Sequence, residues 1–136
     1  MFDPVETLVE DIRHGKIVII VDDEDRENEG DFIMAAECAS PEAINFMIKH
    51  GRGLVCLPIA PSIAKKVDLA PLPKRGKSRF GTNFTVSVEA AEGVGTGIST
   101  HDRAATVQAI ISDDATPADI VSPGHMFPII AHPDGV

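Results

Sequence analysis

Residues 22–31 concentrate acidic side chains that could bind a cation or transfer protons. This segment carries seven carboxylates and one arginine, a net charge of −6 within a formal total of −9 for the 136-residue chain. Like charges crowded this closely destabilise a fold unless something compensates them. A hard divalent cation is one such compensator, because Mg²⁺ prefers carboxylate and water oxygens. The segment therefore predicts a magnesium site, and a solvated acidic loop is the alternative interpretation.

A calcium-binding EF-hand loop is the first specific rival, because acidic residues at alternate positions from Asp25 precede Gly30. The EF-hand requires a bidentate glutamate at the twelfth loop position, where this sequence has Ala36. An EF-hand loop also follows a helix, whereas the preceding residues have the pattern of a strand. The EF-hand interpretation therefore fails, and preferential binding of Ca²⁺ over Mg²⁺ would be needed to revive it.

The composition bounds the class of protein. A content of 43% hydrophobic and 24% charged residues fits one globular domain over residues 1–136. The acidic balance argues against a nucleic-acid surface, and the longest apolar run, residues 17–21, is too short to span a membrane. Cys38 and Cys56 form neither a disulfide framework nor a CxxC motif, and residues 1–10 lack the basic start of a secretion signal. We therefore expect a cytoplasmic protein.

The acidic segment lies between two predicted strands. Residues 16–21 are mostly β-branched, which is typical of a strand buried on both faces, and they lead directly into the carboxylates. A second strand is predicted over residues 32–36. A short helix with apolar residues at helical spacing from Val5 to Ile12 precedes both, and Gly15 is a suitable stop for it.

The rest of the chain alternates helices and strands, which predicts an α/β (α+β) domain with a mixed sheet. Ser40 caps a helix that starts at Pro41 and is expected to turn Ala43, Phe46 and Met47 toward the core. Strands are predicted over residues 54–57, 84–88 and 126–131, and helices over residues 61–67 and 101–111, with an exposed, mobile loop at residues 69–79.

Four segments resemble one enzyme family. DDEDRENEGD at residues 22–31, directly after an apolar strand, is similar to the signature of 3,4-dihydroxy-2-butanone 4-phosphate synthases. The likeness continues through HGRGLVCLPI at residues 50–59, FGTNFTVSVEAAEGVGTGISTHDRAATV at residues 80–107 and PGHMFPI at residues 123–129. The resemblance implies that family's three-layer fold, a mixed twisted sheet flanked by helices.

The resemblance also implies a reaction. The family converts D-ribulose 5-phosphate into L-3,4-dihydroxy-2-butanone 4-phosphate and formate for riboflavin biosynthesis, through enolisation, dehydration, rearrangement and loss of one carbon. The resemblance therefore implies a lyase that depends on Mg²⁺ or Mn²⁺, and a metal suits steps that develop charge on substrate oxygens. Members of the family act as homodimers, and some are fused to GTP cyclohydrolase II.

The site residues follow from the same resemblance. Glu27 matches the metal-binding carboxylate, and Arg26, Glu27 and Asp31 match positions that contact the substrate. Asp25 and Glu29 are expected to act in proton transfer or on metal-bound water.

Two further residues match family positions outside the acidic segment. His125 matches the catalytic histidine of the PGH motif, where an imidazole suits proton transfer near neutral pH, although a lone histidine is most often structural. Cys56 matches a cysteine beside the substrate site, and the alternative is a small buried hydrophobe. Ser99 and Thr100 start a helix that could bind the substrate phosphate, and ordinary capping is the simpler interpretation.

The family domain normally continues beyond residue 136. The next part should contain a motif similar to RGGHTE, which supplies phosphate contacts and the histidine that completes the metal site, and later a catalytic glutamate. The domain of residues 1–136 is therefore expected to be C-terminally incomplete, with exposed apolar surface that favours association. A non-catalytic truncated or dimerising module of the same fold is the alternative to an enzyme.

Overall fold

Helices and strands alternate along the computed structural model, which describes residues 2–77 and 80–134. The helices are α1 (Val5–Arg13), α2 (Pro41–Phe46), α3 (Pro61–Lys66) and α4 (Thr100–Ile111). The strands are β1 (Val18–Val21), β2 (Gly30–Ile33), β3 (Cys56–Ile59), β4 (Val88–Ala90) and β5 (Ile120–Ile130). A π-helical turn, Met47–Gly51, continues α2. The predicted α/β class is confirmed.

Two separate sheets organise the strands. The larger sheet has the order β3-β5-β4, and its central strand β5 runs parallel to β3 and antiparallel to β4. It is therefore mixed, as predicted. Strands β1 and β2 form an antiparallel hairpin beside it, with Ile19 opposite Phe32. The acidic segment is the connection of this hairpin.

One face of the three-stranded sheet forms the core. Along β3 and β5, alternate side chains such as Leu57 and Met126 are buried against α3 and α4, because successive residues of a strand point to opposite sides. The opposite side holds Cys56, His125 and Phe127, which are only partly buried. The core consists of Leu57, Ile59, Ala64, Val67, Leu69, Val88, Val107, Ile110, Ala115 and Met126.

Helix α4 is tied to the glycine-rich turn that precedes it. The Ser99 hydroxyl caps the helix by accepting the N–H of Asp102 at 3.0 Å, as predicted. The Asp102 carboxylate in turn accepts the N–H groups of Gly95 at 3.2 Å and Gly97 at 2.9 Å. Burial alone would raise the pKa of Asp102, but the N–H groups of Gly95 and Gly97, together with Ser99 and His101, hold the pKa below its ordinary value.

The prediction that the first strand is buried on both faces was wrong. In β1 only Val18 is buried, and Ile19 is 61% exposed. Within the described residues β1 pairs with β2 alone, and the hairpin stands apart from the larger sheet. A run of β-branched residues predicts a strand, but it does not say what will cover it.

Other inward-facing positions also differ from prediction. Ile44 is the buried residue of α2, whereas Phe46 is 42% exposed and packs on Phe32 and His50. The alternation expected over residues 84–88 fails because Thr85 is buried, and its hydroxyl is satisfied by the carbonyl oxygen of Val86 at 2.8 Å.

The predicted element boundaries shift by a few residues. The strands expected over residues 32–36 and 54–57 are observed as β2 and β3, and the strand expected over residues 126–131 starts earlier, at Ile120. The strand expected over residues 84–88 meets β4 only at Val88, and Phe84 forms an isolated bridge with Ile129. Helix α3 is confirmed. In the predicted loop Leu69 is buried in the core, residues 70–77 form neither helix nor strand, and residues 78 and 79 lie outside the described part. None of the described helices is long and apolar enough to cross a membrane.

One face of the hairpin forms, together with α2, a concave and largely apolar surface. Ile19, Phe32, Met34 and Phe46 are among the residues that line a depression of about 540 Å³. Exposed apolar surface of this kind favours association, because contact with another apolar surface removes it from water.

We expect this surface to cause self-association of the chain. Replacing Ile19 by Lys should shift the sedimentation profile toward monomer at concentrations where the wild type associates, because a charged side chain resists burial. Ile98→Lys is the matched control, since it places the same charge at an exposed isoleucine outside the depression. A wild type that sediments as a single monomeric species at every concentration would contradict the prediction.

Asp102 should make the stability of the fold depend on pH. Because folding lowers its pKa below 3.8, its carboxylate stabilises the protein above that value, and the contribution is lost as pH falls through the folded-state pKa. Asp102→Asn should therefore lower the urea midpoint near pH 7, and the difference from wild type should shrink as the pH falls below 3.8. Asp113→Asn, at an exposed acid after α4, is the control. A difference that stays constant with pH would refute this role.

Candidate active site

The acidic segment forms the turn that joins β1 to β2. The N–H of Asp22 donates to the carbonyl oxygen of Glu29 at 3.2 Å, which closes the turn at its base. Inside it, the N–H of Arg26 donates to the carbonyl oxygen of Asp23 at 2.9 Å. Asp31 lies in β2, opposite Ile20. The carboxylates therefore follow the first strand, as the sequence predicts.

Asp22 organises this turn from within. Its carboxylate accepts the N–H groups of Glu27 at 3.0 Å and Glu29 at 2.9 Å, and the guanidinium of Arg26 at 2.8 Å. The Glu29 N–H has the largest effect on the pKa of Asp22, and with the Glu27 N–H and Arg26 it outweighs partial burial and holds that pKa below its ordinary value. Asp22 is therefore an internal anion that shapes the turn.

Arg26 and Glu27 lie side by side at the turn. The second guanidinium nitrogen of Arg26 is 3.4 Å from Oε1 of Glu27, and the guanidinium carbon lies 5.8 Å from the ring centroid of Phe80. A guanidinium at this distance over an aromatic face is attracted by the ring. Because the same side chain also contacts Asp22, Arg26 is held in place between the acidic turn and Phe80. Asp25 and Glu29 are exposed.

The turn suits a hard divalent cation, because most of the side-chain atoms that could coordinate an ion there are carboxylate oxygens. Asp22 and Glu27 are the partly buried acids of the turn, and the other acids are more exposed. Across residues 2–77 and 80–134, however, no three His, Cys, Asp or Glu side chains converge as a metal-holding group. Glu27 would therefore hold the ion together with water or with ligands beyond these residues.

Cys56 and Asp31 are electrostatically coupled. Burial raises the pKa of the Cys56 thiol, and the negative charge of Asp31 raises it further. The thiolate is the nucleophilic form of cysteine, so this environment keeps Cys56 neutral and unreactive at neutral pH. The coupling also places the base of the acidic hairpin close to the edge of the larger sheet.

His125 lies on the same open side of the sheet as Cys56. Strand register places Cys56 opposite Phe127, and His125 precedes Phe127 by two residues, with buried Met126 between them. The structure thus brings Asp31, Cys56 and His125 to one side of the molecule. Glu27 and Arg26 approach from the adjacent turn, and the described contacts join them to Asp22 and Phe80 rather than directly to His125.

The residue that contacts His125 directly is Glu89, which the sequence analysis missed. Oε1 of Glu89 lies in hydrogen-bond contact with Nδ1 of the imidazole, and both side chains are partly buried. The available signal was an acid in strand β4 between the apolar residues Val88 and Ala90. A charged residue so placed needs a partner, but its partner lies 36 positions away in sequence.

The start of α4 is explained by capping. The Ser99 hydroxyl accepts the N–H of Asp102, and the Ser99 carbonyl oxygen accepts the N–H of Arg103 at 3.0 Å. The hydroxyl bond satisfies a free N–H group of the first helical turn that an anion would otherwise use. The observed contacts therefore favour the capping interpretation of Ser99 over the phosphate interpretation.

Known sequences resemble this chain over nearly its full length. The family model described as 3,4-dihydroxy-2-butanone 4-phosphate synthase matches residues 6–136. A protein of that name from Pseudomonas aeruginosa is 60% identical over 131 residues, which cover 96% of this chain and 36% of the relative. Riboflavin biosynthesis protein RibBA from Aquifex aeolicus is 54% identical over 99% of this chain and 34% of its own length. The chain thus spans about a third of the curated relatives it matches.

Solved structures agree with the sequences. RibBX from A. baumannii, a two-domain 3,4-dihydroxy-2-butanone 4-phosphate synthase, superposes with a TM-score of 0.92 at 48% identity, over 98% of this chain and 39% of its own. A 3,4-dihydroxy-2-butanone 4-phosphate synthase in complex with two magnesium ions superposes with a TM-score of 0.94 at 38% identity, over 99% of this chain and 63% of its own. Sequence and fold together show that the chain belongs to the 3,4-dihydroxy-2-butanone 4-phosphate synthase family.

Proposed function

We propose that this chain contributes to the conversion of D-ribulose 5-phosphate into L-3,4-dihydroxy-2-butanone 4-phosphate and formate, a step of riboflavin biosynthesis. The observation that carries this proposal is the acidic turn, in which Arg26 and Glu27 lie side by side over a hydrogen-bonded Asp22 in a chain of this family. The guanidinium of Arg26 can donate to the phosphate and hydroxyl oxygens of a sugar phosphate, and the exposed carboxylates of the turn can accept its hydroxyl groups.

The acidic turn would bind the substrate and the metal. The remaining N–H groups of Arg26 can donate to substrate oxygens, and the carboxylates of Glu27 and Asp31 can accept its hydroxyl groups. Glu27 would also hold Mg²⁺ or Mn²⁺, and the relative solved with two magnesium ions supports this choice of cation. The bound ion would supply positive charge that stabilises negative charge developing on substrate oxygens.

Groups on the larger sheet and on the acidic turn would transfer protons. His125 would exchange protons with the substrate, since a hydrogen-bonded imidazole serves as acid or base near neutral pH. Asp25 and Glu29, exposed at the turn, are further candidates for this role. Cys56, held as a neutral thiol, would line the site and would not attack the substrate as a nucleophile.

An enzymatic role is favoured over a non-catalytic or dimerising module of the same fold. The relatives are named for the synthase or for riboflavin biosynthesis, and the chain keeps the acidic turn and the histidine that the reaction needs. We further propose that residues 1–136 form one C-terminally incomplete domain of a cytoplasmic homodimer. Fusion to GTP cyclohydrolase II in the full polypeptide also stays a prediction.

Glu27→Gln tests the proposal that Glu27 holds the metal ion. With ribulose 5-phosphate and Mg²⁺, we expect the variant to release formate at least about 100-fold more slowly than the wild type, because a neutral amide replaces the carboxylate that holds the ion. Formate is measured by NMR with ¹³C-labelled substrate. Glu42→Gln, an equal change at an exposed position on α2, should leave the rate unchanged. Formate release by Glu27→Gln at the wild-type rate would refute the role of Glu27.

Asp22→Asn tests whether the shape of the turn matters apart from its charge. An amide accepts the two N–H groups and Arg26 less strongly than a carboxylate, so the turn should loosen and bind Mn²⁺ about tenfold more weakly. The affinity is measured by the loss of the free Mn²⁺ signal in electron paramagnetic resonance. Glu24→Gln removes the same charge from an exposed position in the turn. Equal weakening in the two variants would attribute the effect to charge alone.

A further inference from the structure

The contact between Glu89 and His125 joins a largely buried carboxylate to a partly exposed imidazole. The side chain of Glu89 is 16% exposed and that of His125 is 42% exposed. The contact uses Nδ1 of the imidazole, the ring nitrogen nearer the backbone. Nε2 lies on the other side of the ring from this contact.

The chemistry of the contact fixes the position of the imidazole proton. An ionised carboxylate only accepts hydrogen bonds, so Nδ1 must carry the proton that it donates to Glu89. In the neutral ring Nε2 then holds the free electron pair. We propose that Glu89 is a positioning residue, which holds His125 in the Nδ1–H form and so presents Nε2 as the base of the reaction. This inference rests on the proposed function.

The path of β5 supports a dedicated role for this contact. Val88 pairs with Met126, so in a regular antiparallel ladder Glu89 would pair with His125; it pairs instead with Val121. Residues 122–125 are therefore looped out of the ladder beside β4. A bulge of this kind redirects side chains, and it is common next to active sites. Here it gives His125 a side-chain contact with Glu89 in place of a backbone pairing.

The surroundings of Glu89 leave its carboxylate little freedom. A Cβ atom at Gly97, which has a φ of +82°, would overlap that carboxylate, and a Cβ at Gly124 would overlap the backbone of Val88 and the Glu89 side chain. Gly97 is itself held by the Asp102 carboxylate. Backbone from the glycine-rich turn and from β5 thus packs closely on Glu89 from two directions, which fixes its orientation toward His125.

The proposed step transfers one proton. The substrate gives up a proton to Nε2 of His125, the bonding electron pair stays on the substrate, and the ring becomes an imidazolium with a proton on each nitrogen. The Glu89 carboxylate then faces a positive charge, which stabilises the imidazolium. The proton leaves Nε2 again when the ring acts as an acid, and Glu89 keeps its contact throughout.

The test reads the tautomer directly. In the ¹⁵N-labelled 136-residue chain, two-bond ¹H–¹⁵N correlation spectra distinguish the two ring nitrogens of each of the five histidines. His125→Gln assigns the signals, and spectra are taken well above the ordinary imidazole pKa of about 6.5. We expect the proton of His125 on Nδ1 in the wild type. This measurement needs no turnover and no Glu89 variant, so it is independent of the proposed function.

Variants then separate positioning from a simple structural contact. Glu89→Gln should move the tautomer population of His125 toward Nε2–H and lower kcat for formate release by about 10² or more, with KM changed less than about threefold. Glu92→Gln, the same change at an exposed acid in the following turn, should alter neither quantity. Backbone spectra confirm that each variant is folded.

Two results would overturn the inference. One is a wild-type His125 that carries its proton on Nε2. The other is a folded Glu89→Gln variant with the wild-type tautomer. If the wild type releases no formate, the proposed function fails while the tautomer measurement still decides the role of Glu89.

Discussion

The alternation of side chains along β5, held between β3 and β4, is the constraint on which both the core and the site depend. Met126 and Pro128 are buried on one side, whereas His125 and Phe127 lie on the other. A slip of one residue would exchange the two sets, and burying a side chain such as Met126 is worth about 1.5–3 kcal/mol. The packing that stabilises the domain therefore also places His125 on the same open side of the sheet as Cys56.

The acidic turn must fold although residues 22–31 carry a net charge of −6. The turn connects the two strands of a two-stranded hairpin. Such a hairpin buries little apolar surface, so packing does little to offset the repulsion between the carboxylates. Asp22 supplies order from inside by accepting two backbone N–H groups and Arg26. One acid is thus used to hold the turn, and Arg26 is drawn toward Glu27, where a cation and a carboxylate can act together.

Local signals in the sequence predicted the local structure. The Ser99 cap, the helix stop at Gly15 and the strand before the acidic segment depend on neighbouring residues, and all are found. Burial depends on distant partners, which explains why the exposure of β1 and Phe46 was not predicted. The resemblance identified His125 but not Glu89, because their contact depends on a bulge in a strand pairing between residues far apart in sequence.

The partners of the carboxylates separate structural acids from acids available for chemistry. Asp22 and Asp102 accept backbone N–H groups, as does Asp119, whose pKa is lowered by the hydroxyl and N–H of Thr116. Fixed hydrogen-bond donors already stabilise their charges, so they gain little from a further cation. In the contacts described here Glu27 accepts no backbone N–H group, and its side chain contacts only the guanidinium of Arg26, at 3.4 Å. Its carboxylate therefore keeps acceptor capacity for a metal ion or a substrate hydroxyl. The acids that accept backbone N–H groups therefore act in folding, and the acids that accept none are available to bind a metal ion or the substrate.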